Sequence, residues 1–172
     1  MTRFIIFLLL FSTSCFSIKP TSTKTKSSSI ETFFVGDAGL QHFIKPMCFQ
    51  TSAKNKCYLD ITFRRKNKTT GDAIANISFQ TGSQINKINQ LKISNSLHEI
   101  VLNDIEFMFV QTEKKHIISR FTTKIKNTDV SKLFENENWE IHVDTTNSDQ
   151  IFKSIKKTKK TIKTINQTLF IN

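Results

Sequence analysis

Between Cys57 and Val143 apolar residues recur at every second position, and this period confines the body of the chain to β structure. Cys57, Leu59, Ile61 and Phe63 alternate with Tyr58, Asp60, Thr62 and Arg64; Ala73, Ala75, Ile77 and Phe79 alternate with Ile74, Asn76, Ser78 and Gln80. Trp139, Ile141 and Val143 alternate in the same way with Glu140, His142 and Asp144. Successive side chains of a strand point to opposite faces, so each run describes a half-buried strand with one face toward a core. Ile105, Phe107 and Phe109 form another such run, and the segment QTEKK turns the chain into one where Ile117, Phe121 and Ile125 share a face.

Leu40–Phe49 is apolar on both faces, as a central strand would be, and weaker runs occupy Glu31–Val35, Ile88–Ile93 and Leu97–Leu102. Seven to nine strands at intervals of about ten residues predict a mainly β chain, a single antiparallel sandwich or barrel-like domain. About 140 residues follow position 29, enough for one core and too few for two, so residues 30–172 are expected to form one domain. Two segments depart from the alternation. DVSKLFEN reads as one or two helical turns before the Trp139 strand. SDQIFKSIKKTKKTIKTIN predicts an amphipathic C-terminal helix over about residues 149–166. Ser148 would cap it, and Ile151, Ile155, Ile162 and Ile165 fall within about 40° of one line, which is expected to dock on the sheet. The other faces carry Lys153, Lys156, Lys157, Lys159, Lys160 and Lys163.

The N-terminus follows a different logic. Arg3 supplies positive charge, Phe4–Phe11 are eight uninterrupted apolar residues, and Ser12-Thr13-Ser14 is a run of small residues. These are the parts of an export signal over residues 1–14, and the apolar run is far short of the roughly 20 residues that span a bilayer. Ser12-Thr13-Ser14-Cys15 resembles the lipobox of bacterial lipoproteins in the relaxed form of Bacteroidota, with Ser12 in place of the usual leucine-like residue. The resemblance implies that Cys15 becomes the lipidated first residue, and that the protein is held in the cell envelope by a lipid anchor. The alternative is cleavage nearby, for instance after Ser17, and release as a secreted protein. Residues 15–29, with SIKPTSTKTKSSS, lack any apolar period and read as a tether reaching roughly 20 Å.

With Cys15 assigned to lipid, Cys48 and Cys57 remain as a pair. They flank FQTSAKNK, and a hairpin setting Gln50 opposite Asn55 would place the two cysteines face to face at about 4.5–5.5 Å between Cα atoms, within reach of a disulfide. Two buried thiols are the alternative.

Catalytic motifs are missing from the sequence. His42, His98, His116 and His142 are not spaced as metal ligands, and neither Cys-x-x-Cys nor His-Glu-x-x-His occurs. No Gly-x-Ser-x-Gly elbow is present, and four glycines make no phosphate-cradling loop. The run RRKNKTTGDAIANISFQTG is similar to the PilZ nucleotide-binding signature, but three residues separate Ser78 from Gly82 where that family has two; it reads as a hairpin. No catalytic residue, metal site or cofactor is therefore assigned. The strongest compositional feature is charge: 25 Lys and Arg against 14 Asp and Glu, a net +11. Such a chain is drawn to polyanions. Export argues against nucleic acid, and no aromatic residues interleave the lysines to stack bases. The expected partners are a membrane, another envelope protein or an anionic glycan. The expected role is binding or structural, with an envelope hydrolase of dispersed active site as the alternative, and a polyanion or membrane-surface binder acting through the lysine-rich helix as another.

Overall fold

The computed structural model of the chain describes residues 22–23, 29–36, 39–65, 71–146 and 148–170. Among them are eleven strands of one antiparallel sheet: β1 (Ser22–Thr23), β2 (Ile30–Phe34), β3 (Leu40–Gln50), β4 (Lys56–Arg65), β5 (Asp72–Thr81), β6 (Ile88–Ser94), β7 (Glu99–Leu102), β8 (Glu106–Glu113), β9 (His116–Lys126), β10 (Glu140–Thr145) and β11 (Ser148–Ser154). Helix α1 (Asn127–Phe134) precedes β10. Helix α2 (Lys156–Ile165) follows β11 and runs into a π-helical turn, Asn166–Phe170. The sheet is open, with β7 and β8 at its ends, and fits the mainly β sandwich or barrel-like domain with a C-terminal helix that the sequence predicts. All nine expected strands form, and β1 and β11 are additional; β8, however, is exposed along its whole length rather than half-buried, and a bulge between Phe107 and Phe109 breaks the alternation expected of Ile105, Phe107 and Phe109.

The strand order is β7-β6-β10-β11-β3-β4-β5-β9-β8, with β2 beside β3 and β1 beside β2. Strand β3 is the hub, because one of its edges serves two partners. Leu40–Ile44 pair with β2, whereas Phe49 and Gln50 pair with Ser154 and Lys153 of β11. The change of partner coincides with a bulge: Ile44 lies opposite Ile61 and Met47 opposite Leu59, so Lys45 and Pro46 together face the single residue Asp60. Proline has no N–H for a ladder and is accommodated at such a bulge, which bends its strand.

This bulge overturns the expected cysteine pairing. The β3–β4 hairpin sets Gln50 opposite Lys56 rather than Asn55, across a loop of residues Thr51–Asn55 in which Lys54 takes the left-handed region at φ 66°. A one-residue slip moves a side chain to the other face of a sheet. Phe49 therefore lies opposite Cys57, Cys48 lies opposite Tyr58, and the two cysteines are free thiols on opposite faces.

The C-terminal helix is also shorter than expected. Residues 148–154 form a strand, and the helix begins at Lys156. Ser148 pairs with Thr145 across a two-residue hairpin instead of capping a helix, and the ladder continues to Glu140 opposite Lys153. Six cross-strand pairs satisfy the backbone of this segment and sink Phe152 and Ser154 into the core. Ile151, on the other face, is exposed and Ile155 is half-buried. Of the four isoleucines expected on one docked line, only Ile162 and Ile165 are buried; Thr158 and Leu169 complete the packed face. The expected tether likewise contains order: Ser22 and Thr23 pair with Phe33 and Thr32 of β2.

The core lies on the sheet face lined by Leu59, Ile61, Ile77, Phe79, Phe121, Ile141 and Phe152, closed by Val130, Leu133 and Phe134 of α1 and by α2. Trp139, fully buried, packs against Phe134 at 4.8 Å between ring centroids and against Phe49 at 6.2 Å. Its indole donates to the Asn136 carbonyl at 2.7 Å, which satisfies the polar atom of the largest core side chain. Phe170 of the π-helical turn stacks on both Phe134 and Phe63, pinning the C-terminal segment over the sheet.

Candidate functional site

Helix α2 has one packed face and one cationic face. Thr158, Ile162 and Ile165 are buried, and Lys156, Lys157, Lys160 and Lys163 are exposed. No acidic residue lies in the first turn to oppose the helix dipole, and no side chain caps the helix at Ile155. Three lysines and the positive end of the dipole therefore add their fields over the first turns, an arrangement unfavourable to the isolated helix. Docking holds it in place: the Thr158 hydroxyl donates to the Cys48 carbonyl of β3, and Lys159 Nζ donates to Asn138 Oδ1 at 2.7 Å. Lys153, grouped with these lysines on sequence grounds, is set apart on β11. It contacts Glu140 at 2.8 Å, and this hydrogen bond, with help from His142, holds the Glu140 carboxyl below the usual range. Lys156, Lys157, Lys160 and Lys163 make no ion pair among the described residues.

Where α2 meets the β3 bulge the surface opens into a cavity of about 300 Å³ lined by Lys45, Cys48, Tyr58, Lys157 and Thr161, among others. Lys45 is engaged by Glu31 at 2.9 Å, whereas Lys157, the other lysine of the lining, has no ion pair among the described residues. Burial pushes the Cys48 thiol upward despite the nearby Lys56 and Lys157 ammonium groups, and it also raises the Tyr58 hydroxyl. A thiol so placed is a poor nucleophile, because the thiolate is the reactive form. The cavity offers a cation and hydroxyl groups, which suits non-covalent recognition of an anionic group. Cys57 is fully buried on the core face, with its thiol raised well above the ordinary value, and takes no part.

A second polar cluster crosses the outer face of the sheet. Asp60 on β4 accepts from Asn76 Nδ2 on β5 and from Arg120 Nη2 on β9, each at 2.8 Å, while Arg120 Nη1 donates to Ser78 Oγ at 2.8 Å. Asp60 is the one buried carboxylate among the described residues. Each of its oxygens is occupied, so it is not poised as a general base, and no histidine approaches Ser78 to activate it. The cluster joins three strands as a structural bond.

Cys15 and the expected export signal over residues 1–14 lie outside the described residues. Among the described residues no helix is long and apolar enough to cross a membrane, and no three His, Cys, Asp or Glu side chains converge as metal ligands. Lys45 and Tyr58 escaped the sequence reading, since the bulge that joins them to Lys157 leaves no mark beyond Pro46. Comparison with protein-family models, curated proteins and solved structures finds no match.

Proposed function

We propose that the chain is an exported cell-envelope protein, held to a membrane by lipid on Cys15, that binds an anionic glycan or comparable polyanion. The observation that carries this reading is the lysine face of α2: four exposed lysines without ion-pair partners among the described residues, on a helix whose other face is packed. An ion-paired cationic face would have a structural explanation. This one keeps its field directed outward, and one of its lysines, Lys157, stands at the mouth of a cavity able to seat one charged group. The polar cluster around Asp60 is fully engaged with itself, which favours binding over the hydrolase alternative.

The test replaces Lys156, Lys157, Lys160 and Lys163 with Gln and measures retention on a heparin column and on immobilised lipopolysaccharide. The parent should bind with an affinity that falls as salt rises, and the variant should bind at least about tenfold more weakly. Equal binding by parent and variant would dismiss the lysine face. The anchor is tested separately: labelling with a fatty-acid analogue should depend on Cys15, and Cys15→Ser should move the protein out of the membrane fraction.

A further inference from the structure

We infer that β8 is a docking edge for a second copy of this chain, and that two molecules join β8 against β8, antiparallel, into one continuous sheet across a two-fold axis. The inference rests neither on the lipid anchor nor on the lysine face of α2.

Three observations converge. The first is that β8 has one open side. It ends the strand order and, among the described residues, pairs with β9 alone. A two-residue turn, Lys114 and Lys115, joins the two strands by setting Glu113 opposite His116, and the pair that flanks such a turn exchanges backbone hydrogen bonds. Glu113 and Gln111 therefore bond toward β9, and the N–H and C=O groups of Val110 and Thr112 point to the open side. A row of such groups is a template for another strand.

The second is what the edge displays. Phe107, Met108, Phe109 and Val110 follow one another along the strand, with exposures of 45%, 48%, 41% and 38%. The bulge between Phe107 and Phe109 spreads them over both faces. Phe107 lies opposite the buried Phe121 and Val110 opposite the buried Ser119, whereas Phe109 lies opposite Arg120, which reaches Asp60 on the outer face. The Phe107 ring stands edge-on to that of Phe121 at 5.5 Å, so the apolar surface of the core continues onto β8, where it meets solvent. Sheet edges ordinarily carry Lys, Pro or other charged residues to prevent pairing, and Phe107–Thr112 contain none.

The third is charge, and it selects the occupant. Asp104 and Glu106 stand at the start of β8, Lys114 and Lys115 at its end; all four are exposed, and none makes an ion pair among the described residues. Antiparallel pairing centred on Val110 keeps the outward backbone groups in phase. It sets Glu106 of each copy opposite Lys114 of the other, so one sequence makes the same favourable contact twice. Glu113 stays opposite His116 of its own hairpin. Parallel pairing of two β8 strands would instead bring like charges together. Head-to-tail docking of β7 on β8 fits less well, because β7 has four residues and β8 has eight.

The experiment follows the Cys15→Ser chain, free of lipid and detergent, by sedimentation velocity at concentrations up to about 100 µM, where a monomer–dimer equilibrium is expected. Val110→Lys, at an exposed position in the centre of the contact, should leave the thermal unfolding midpoint nearly unchanged and weaken dimerisation at least about tenfold. Glu106→Lys should weaken it about threefold, and adding Lys114→Glu should restore the parent affinity, because the exchanged charges meet again across the two-fold axis. Under mild oxidation Val110→Cys should yield a dimer linked through position 110, located by mass spectrometry of the digest, and Val101→Cys on β7 should yield none. A protein that stays monomeric, a dimer indifferent to Val110→Lys, a series of larger species, or linkage through position 101 overturns the inference. Failure of Lys114→Glu to rescue Glu106→Lys overturns it as well, because a partner other than a second copy has no reason to restore the match.

Discussion

Opposite faces of the same three strands, β4, β5 and β9, bury side chains by different means. On the inner face Leu59, Ile61, Ile77, Phe79 and Phe121 are covered by helices and aromatic rings. Among the described residues no such layer covers Asp60 on the outer face, yet it is buried there beneath the hydrogen bonds it shares with Asn76 and Arg120. Apolar burial is tolerant in direction and costly to empty. A buried carboxylate is tolerable only while each partner stays in place. Helix α2 repeats the contrast, with Ile162 and Ile165 against the sheet and lysines in solvent.

The inner face should be the more expensive to damage. Trp139→Ala removes the ring that joins Phe49 to Phe134, and denaturant unfolding should record a loss of about 3–5 kcal/mol. A loss below about 1 kcal/mol would show that the ring does not close the core.

Within α2 the two kinds of isoleucine should separate. Ile162→Ala should cost about 2–4 kcal/mol, and Ile155→Ala, at a half-buried helix-cap position, no more than about 1 kcal/mol. Equal losses would mean that the helix extends back through residues 149–155 in solution.

On the outer face, Arg120→Leu should cost about 2–3 kcal/mol, because it leaves the Asp60 carboxylate buried without its cation. Adding Asp60→Asn should recover part of that loss, a coupling that a purely additive pair would lack.

The thiols sharpen the contrast further. In the Cys15→Ser chain, a thiol reagent applied to the native protein near pH 8 should modify Cys48 slowly and spare Cys57, and both should react after unfolding. Mass spectrometry of an unreduced digest should find no Cys48–Cys57 linked peptide.

The smallest effect belongs to the solvent-facing pair Glu140–Lys153. Because the folded state lowers the Glu140 carboxyl, its contribution is present at neutral pH and is lost as pH falls from 4.5 through the lowered value. Glu140→Gln should therefore reduce stability by no more than about 1 kcal/mol at neutral pH and by nothing in strong acid.

The sheet's inner face was readable from the chain because it depends on local alternation: Leu59, Ile61, Ile77 and Phe79 announce their direction within a few residues. The candidate site was half readable. The lysines of α2 stand together in sequence, whereas the cavity at their edge needs Lys45 and Tyr58, more than ninety residues before α2, to arrive beside Lys157. Residues 148–154 misled because Ile151 and Ile155 fit a helical period while Gln150, Phe152 and Ser154 fit a strand period. A segment that satisfies both is decided by whichever neighbour can pair with it, and β10 was available.

The sequence by itself determined that this chain is mainly β with one core, which residues of β4, β5 and β10 point inward, and that a lysine-bearing helix closes its C-terminal end. These follow from periods of two and 3.6 residues in side-chain direction. Only the tertiary structure decided the register of β3 against β4, the strand identity of β11, and the bonds from Asp60 to Arg120 sixty positions later. Each depends on where a bulge falls or which distant backbone supplies a hydrogen-bond partner, and those choices are made between segments rather than within them.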